Sequence, residues 1–525
     1  MTAVGRAPAE RTQAVVIGGG VVGCAVLRAF AARGIEAILV EAAPDIGEGA
    51  SKANSAIVHT GFDAKAGTIE ARLLRRSSEL WPDVIDDLAV PFLPVGALML
   101  ARTPEERDRL RHPYAAEAAA HGVDTELIDG PALRSMAPYV TPDALATLHV
   151  PGEGVIDPFW LTRSYAAAAI SLGAEVWTNA TVSAIDVGVD RVELGLQDDR
   201  RLIADQAVDC AGLWADDIAR LAGDDSFTLR PRKGQFLVSE HTFEVDRIVL
   251  PIPGPLGKGM LLTPMVFGGV LLGPTAEDGD DKDDRGTDQV GRDRILAACR
   301  TMVPDVARMD PIRQFAGVRA VSSTGDYVLR PSTAGDRLFL VAGIRSTGIS
   351  ASPAIAEEAV TAVTDLRGWA RMTPRRAPAP PVAWADRAGS IVCACRSVAE
   401  AEVHSALAAP PVPTTVDGVK RRCGVGFGDC QGNMCQAEVV ESRRGWTARM
   451  SCRRSSPPTD PRPPAGPCPC RSPTKTRPSC AASQGSPTWT GGRGARSFGG
   501  VCSARRPTTE EARCTWVCTP IPSRP

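Results

Sequence analysis

The apolar run Ala14-Val15-Val16-Ile17 leads directly into Gly18-Gly19-Gly20, and small residues then continue from Val21 to Arg33 before Gly34. A second apolar run, Ala37-Ile38-Leu39-Val40, ends on Glu41. A buried strand, a glycine turn, a helix and another buried strand in that order predict the first βαβ unit of a doubly wound α/β domain. The pattern Gly18-x-Gly20-x-x-Gly23 is weak evidence by itself, because glycine-rich turns have many uses. Between these two strands it gains meaning. Gly20 lets the main chain approach a pyrophosphate, whose charge then rests on the helix N-terminus. Glu41 comes 23 residues after Gly18, where an acid can accept ribose hydroxyls. The first domain is therefore expected to bind a dinucleotide.

A chain of 525 residues has room for two or three domains with a sizeable core. Strands and helices alternate through the middle. A strand is expected around Leu98, a helix over Thr162 to Leu172, and strands over Ala174–Trp177 and Ala204–Cys210. Residues 371–388 turn rich in Pro, Ala and Arg (Pro374, Pro378, Pro380, Pro381), which marks a linker after a domain spanning 13–370. Residues 389–441 form a module too small to bury much core, so a metal staple is physically reasonable there. Beyond it, 442–525 is dominated by Arg, Pro, Ser and Cys without hydrophobic periodicity, a composition expected to be disordered. Its abrupt onset is consistent with out-of-frame translation. That segment carries 15 Lys+Arg against 3 Asp+Glu, leaving 44 against 58 in residues 1–441. An acidic body argues against nonspecific nucleic-acid binding. No apolar signal region precedes the first strand and no apolar run reaches 18 residues, so a cytoplasmic protein without a transmembrane segment of its own is expected. Only Cys24, Cys210 and Cys299 fall in the first 390 residues, which fits a reducing compartment.

Four cysteines stand apart: Cys393-Ala-Cys395 and Cys430-Gln-Gly-Asn-Met-Cys435. Thiolates grouped this way suit a metal or iron–sulfur site. The nearby Gly424, Gly426, Gly428 and Gly432 would let backbone N–H groups reach the sulfurs. Spacing alone leaves a structural Cys₄ zinc site open as well. Cys423 is a fifth cysteine between the two pairs. Among the tail cysteines, only Cys468-Pro-Cys470 has a metal-like spacing.

The stretch Ser51-Lys52-Ala53-Asn54-Ser55-Ala56-Ile57-Val58-His59-Thr60-Gly61 resembles the FAD-dependent oxidoreductases of the D-amino-acid oxidase superfamily, in the branch of glycerol-3-phosphate dehydrogenases and L-2-hydroxyglutarate oxidases. Further matching segments follow in the family's order: Gly154-Val155-Ile156-Asp157-Pro158, Thr181-Val182, Asp209-Cys210-Ala211-Gly212-Leu213-Trp214, Arg232-Lys233-Gly234-Gln235, Gly317-Val318-Arg319, and Ala342-Gly343 through Thr347-Gly348-Ile349-Ser350. The resemblance implies a Rossmann-like FAD-binding domain with an inserted antiparallel-sheet substrate domain. It places FAD against Gly18, Gly20, Gly23, Glu41, Ser51, Asn54, Ser55, Val182, Gly212, Gly343, Gly348 and Ile349. Arg345 and Thr347 depart from the family's usual last loop. Val266–Gly269, read as a strand, lacks a polar residue that relatives present to substrate. The cysteine module resembles the bacterioferritin-associated-ferredoxin-like [2Fe-2S] domain, with Cys393, Cys395, Cys430 and Cys435 as ligands.

Oxidising a secondary alcohol requires a base for the hydroxyl proton while hydride moves to the flavin. His59, which the resemblance puts near the isoalloxazine ring, is the candidate base, with a structural histidine beside the flavin as the other reading. Arg319 is the candidate anchor for a carboxylate or phosphate, with an inter-strand ion pair as its alternative. Lys258, in a Gly-Lys-Gly turn, reads as a solvated second cation. The resemblance implies a dehydrogenase for a small anionic hydroxy substrate, sn-glycerol 3-phosphate first. A 2-hydroxy acid such as L-2-hydroxyglutarate is the rival, with an opine or amino acid more distant. Electrons are expected to leave through [2Fe-2S] to a flavoprotein or quinone-reducing partner, which would be the route to the inner face of a membrane. A non-enzymatic electron-transfer subunit and an oxygen-using oxidase are the readings of other classes.

Overall fold

The computed structural model describes residues 9–240, 245–254, 258–377 and 387–454. The strand Glu10–Ile17, the helix Val21–Ala32 and the strand Ala37–Val40 form the expected unit. Five strands run parallel in the order Glu175–Trp177, Ala37–Val40, Glu10–Ile17, Arg201–Asp209, Gly335–Ala342. Val192–Leu196 and Val182–Val187 extend this sheet as an antiparallel meander. The first strand is apolar without a break because both its faces are covered. Val16 packs with the helices Val21–Ala32, Pro158–Ser171 and Gly348–Arg367, while Val15 and Ile17 pack on the opposite side with Ile218 and Ala219.

The inserted domain is a nine-stranded, mainly antiparallel sheet. Its longest pairing joins Leu229–Ser239 to Arg313–Ser322. Ala97–Ala101 is buried along its whole length and pairs parallel with Ile248–Pro251. A small sheet of Ile57–Val58, Gly154–Ile156 and Phe92–Leu93 bridges the two parts of the domain. In its register Val58 lies opposite Gly154, so His59 and Glu153 become neighbours.

Several expected boundaries shift for local reasons. The helix expected from Thr162 begins at Pro158, because the Asp157 carboxylate accepts the N–H groups of Phe159 and Trp160. The matching segment Arg232–Gln235 lies inside the strand Leu229–Ser239. Val266–Gly269 is not a strand. It forms the turn between Leu261–Pro264 and Val270–Gly273, where Gly268 and Gly269 have φ of 89° and 85°.

The module contains the strands Ile391–Cys393 and Val398–Ala399 and the helices Glu400–Ala408, Val416–Cys423 and Gln436–Arg454. Val392, Val398, Val403, Leu407, Val419 and Val439 form its core. The last helix runs past Glu441, which corrects the expectation of disorder for residues 442–454. The rest of the expected tail, 455–525, lies outside the described residues, as do 378–386 of the expected linker. No helix among the described residues is long and apolar enough to cross a membrane.

Candidate active site

The glycine turn is shaped by close contacts. A Cβ on Gly23 would lie 1.9 Å from the Gly18 carbonyl oxygen, and one on Gly18 (φ 103°) would lie 2.5 Å from that of Cys210. At Gly20 the nearest atom to an added Cβ is the Ser51 hydroxyl, at 3.3 Å, which leaves an approach to the helix N-terminus. Ser51 Oγ accepts the Val21 N–H at 2.9 Å. Glu41 turns back on the turn, accepting N–H groups from Gly19 (2.5 Å) and Ala43 (2.8 Å). Burial pushes its carboxyl above the usual range, against the pull of those two N–H groups. Asn54 folds the next loop: its Nδ2 donates to the carbonyls of Ala50 (3.1 Å) and Ser51 (2.9 Å), and its Oδ1 accepts the Ala56 N–H at 2.8 Å. Ser55 lies in this loop, half-buried. Val182 opens a strand and Gly212 (φ 61°) a short helical turn. Gly343 (φ 71°) leaves no room for a side chain beside Ser322, and Gly348 and Ile349 begin the final helix of the domain.

His59 is 8% exposed. Its Nδ1 lies 2.8 Å from Glu153 Oε2. Glu153 is 1% exposed, and its other oxygen accepts both the N–H and the hydroxyl of Thr60, each at 2.8 Å. Burial pushes Glu153 upward, but His59, Lys258 and the Thr60 N–H outweigh it and hold the carboxyl below the usual glutamate range. An ionised Glu153 can only accept, so His59 Nδ1 carries a proton and a neutral imidazole presents Nε2 as the basic atom. The His59 N–H donates to Ser350 Oγ at 2.9 Å, which ties the histidine to the Gly348–Arg367 helix.

Lys258 is half-buried and ion-paired rather than freely solvated as the sequence suggested. Its Nζ lies 2.7 Å from Asp63 and 3.5 Å from His59 Nδ1, above the Phe62 ring. Burial opposes its charge, yet Asp63 and Glu153 together raise its pKa. Arg319 hydrogen-bonds to main-chain carbonyls: Thr275 at 2.8 Å, Arg232 at 3.4 Å and Lys233 at 3.5 Å. Burial and the neighbouring Arg232 lower its pKa to about 10. None of those contacts joins it to the His59 group. Arg345 pairs with Glu70 at 2.9 Å, and the Thr347 hydroxyl donates to the same carboxylate at 2.7 Å.

In the module the four expected thiols meet two by two. Cys395 interacts with Cys430, and Cys435 with Cys393. Cys393 and Cys435 are buried; Cys395 is exposed and Cys430 intermediate. N–H groups of Met434 and Gly432 hold the Cys430 thiol below its usual range. A Cβ on Gly428 would lie 2.4 Å from that of Cys395. Cys423 is turned aside, donating to the Val419 carbonyl. Among the described residues no three His, Cys, Asp or Glu side chains form a group that could hold a metal ion.

Residues 13–362 match the family model described as FAD dependent oxidoreductase. The chain belongs to that family. Residues 391–441 match the BFD-like [2Fe-2S] binding domain. Similar to this FAD-dependent oxidoreductase is the glycerol 3-phosphate dehydrogenase of Caloramator mitchellensis, 30% identical over 81% of this chain and 92% of the relative. The L-2-hydroxyglutarate dehydrogenase of Escherichia coli K12 is 26% identical over 50% of this chain and 63% of its own. Among solved structures, the dithionite-reduced L-alpha-glycerophosphate oxidase of Mycoplasma pneumoniae with FAD bound aligns with a TM-score of 0.66 at 26% identity, covering 70% of this chain and 98% of that one.

The cradle fits the family's flavin: an open approach at Gly20, a helix N-terminus behind it and a carboxylate at the end of the second strand. Thiolate is the donor that a two-iron cluster takes, and the four thiols lie within the residues that match the [2Fe-2S] domain. Reading the sequence missed Glu153 and Asp63, and gave Ser350 no role of its own. Glu153 lies beside the Gly154-Val155-Ile156 match, and the pairing of that strand with Ile57–Val58 was the signal available.

Proposed function

We propose that this FAD-dependent oxidoreductase oxidises sn-glycerol 3-phosphate to dihydroxyacetone phosphate and sends the electrons out through a [2Fe-2S] centre on Cys393, Cys395, Cys430 and Cys435. The observation that carries the chemistry is the buried His59–Glu153 pair with Lys258 beside it. Glu153 fixes the imidazole tautomer, so Nε2 can take the proton of a substrate hydroxyl. Lys258 supplies a cation for the substrate's anionic end. Arg319 is a second candidate anchor, since its 3.4 and 3.5 Å contacts are long enough to be exchanged for a phosphate or carboxylate. FAD, when bound, supplies the hydride acceptor. The exposed Cys395, with the half-buried Cys430 beside it, marks the side where a flavoprotein or quinone-reducing partner would take electrons.

L-2-hydroxyglutarate is the second reading, supported by the similarity to a dehydrogenase of that acid. Anaerobic mixing of the oxidised holoenzyme with each compound separates them. sn-Glycerol 3-phosphate should bleach the flavin band within the mixing time course. Bleaching by L-2-hydroxyglutarate alone would overturn the assignment.

A further inference from the structure

The loop after Glu41 is held by residues almost four hundred positions away. Asp45 is 1% exposed. The Arg422 guanidinium grips it as a fork, Nη1 to Oδ2 at 2.6 Å and Nη2 to Oδ1 at 3.0 Å. Arg421 adds a contact to Asp45 at 3.3 Å and pairs with Glu48. Both arginines lie on the module's Val416–Cys423 helix. The flavin domain answers with Arg163, which donates to the Arg422 carbonyl at 3.2 Å, and Phe159, which stacks on Phe427 with ring centroids 5.6 Å apart.

The same loop touches the nucleotide turn. The Gly47 N–H donates to the Gly19 carbonyl at 2.9 Å, and a Cβ on Gly19 would lie 3.1 Å from Ile46. A crevice lined by Ile46, Gly47, Ser51, Arg163, Arg421 and Arg422 runs between module and domain. Ser51 is the residue that accepts the Val21 N–H at the start of the nucleotide helix.

We propose that Arg421 and Arg422 are positioning residues for the FAD site: by neutralising Asp45 they fix the loop that buttresses the glycine turn, so module docking and FAD binding are thermodynamically linked. Without the fork, Asp45 would keep a poorly compensated charge in a buried place. The loop relieves this by moving toward water, which withdraws Gly47 from Gly19. The coupling is reciprocal, so FAD in turn holds the module in place.

The test uses the full chain stripped of FAD, with FAD itself as the probe and quenching of its fluorescence as the readout. Arg422→Met should raise the FAD Kd by roughly 5–150-fold, the usual span of coupling between sites. Adding Asp45→Asn to Arg422→Met should bring the Kd back toward wild type, because no buried charge is then left short of a partner. A Kd for Arg422→Met within about twofold of wild type, against the 5–150-fold expected, would overturn the proposal. So would a double variant that binds FAD no better than the single one. Should Arg422→Met fail to fold, Arg422→Lys keeps the charge and loses the fork. It should give a smaller rise, and an unchanged Kd would count against the linkage.

Discussion

At the scale of single residues, the 2.8 Å contact between Glu153 and His59 does two jobs. It sets which ring nitrogen carries the proton, and, with His59 as the proposed base, it would leave a carboxylate to stabilise the imidazolium. His59→Asn should slow reduction of bound flavin by substrate by roughly 10²–10⁴-fold, the usual contribution of a general base, with FAD still bound. Anaerobic stopped-flow mixing measures this directly, and a nearly unchanged rate would leave His59 only a structural part. Glu153 also predicts a pH effect on stability. Its pKa is held below the ordinary glutamate value of 4.5, so the folded state gains from its ionisation above that value. That gain disappears as the pH falls through the depressed folded pKa. Acid unfolding of wild type should therefore be steeper below 4.5 than that of Glu153→Gln, as followed by circular dichroism. Lys258 was misjudged from sequence because a lysine between glycines has no local sign of burial. Its partner Asp63 lies 195 residues away.

Elements explain what was legible and what was not. The first βαβ unit could be read because all its determinants lie within about thirty residues and its apolar run is continuous. The turn at Val266–Gly269 was read as a strand from the family resemblance, against two adjacent glycines that take the left-handed region. Contacts between elements could not be read even where a residue stood out: Gly317 is a glycine because a Cβ there would lie 2.1 Å from the Ala53 carbonyl oxygen, where the strand Arg313–Ser322 meets the Ser51–Asn54 loop. One element carries an evident cost. The Ile69–Leu88 helix starts well, with the Thr68 hydroxyl accepting the Ala71 N–H at 3.1 Å. It ends on Ala89 at φ 48°, ψ 44°, a left-handed conformation that suits glycine. Ala89→Gly should stabilise the fold by about 1 kcal/mol and raise the thermal midpoint without changing flavin reduction. A lower midpoint would show that the methyl group matters more than the backbone.

For the whole molecule, the question is why a flavin domain should carry an iron–sulfur module on the face that holds its nucleotide loop. In the proposed reaction the flavin would take two electrons from the alcohol at once, whereas a [2Fe-2S] centre would pass them on singly. On the proposed route, a module docked at Asp45 would keep the cluster beside the flavin domain, and the exposed Cys395 with the half-buried Cys430 would form its outgoing side. The two steps should therefore separate on mutation. Cys430→Ser should abolish the electron paramagnetic resonance signal of the reduced cluster while substrate still bleaches the flavin. Transfer to a one-electron acceptor should then fall to whatever the flavin alone can donate. The buried pair, Cys393 and Cys435, belongs to the module's core as well as to the proposed cluster site, and so should behave differently. Chelating the iron, or Cys435→Ser, should loosen the module itself, because a domain this small depends on its metal for folding free energy. Hydrogen exchange across the Val416–Cys423 helix would detect that loosening. Protection unchanged after iron removal would show that the docking contacts at Asp45 hold the module without its cluster.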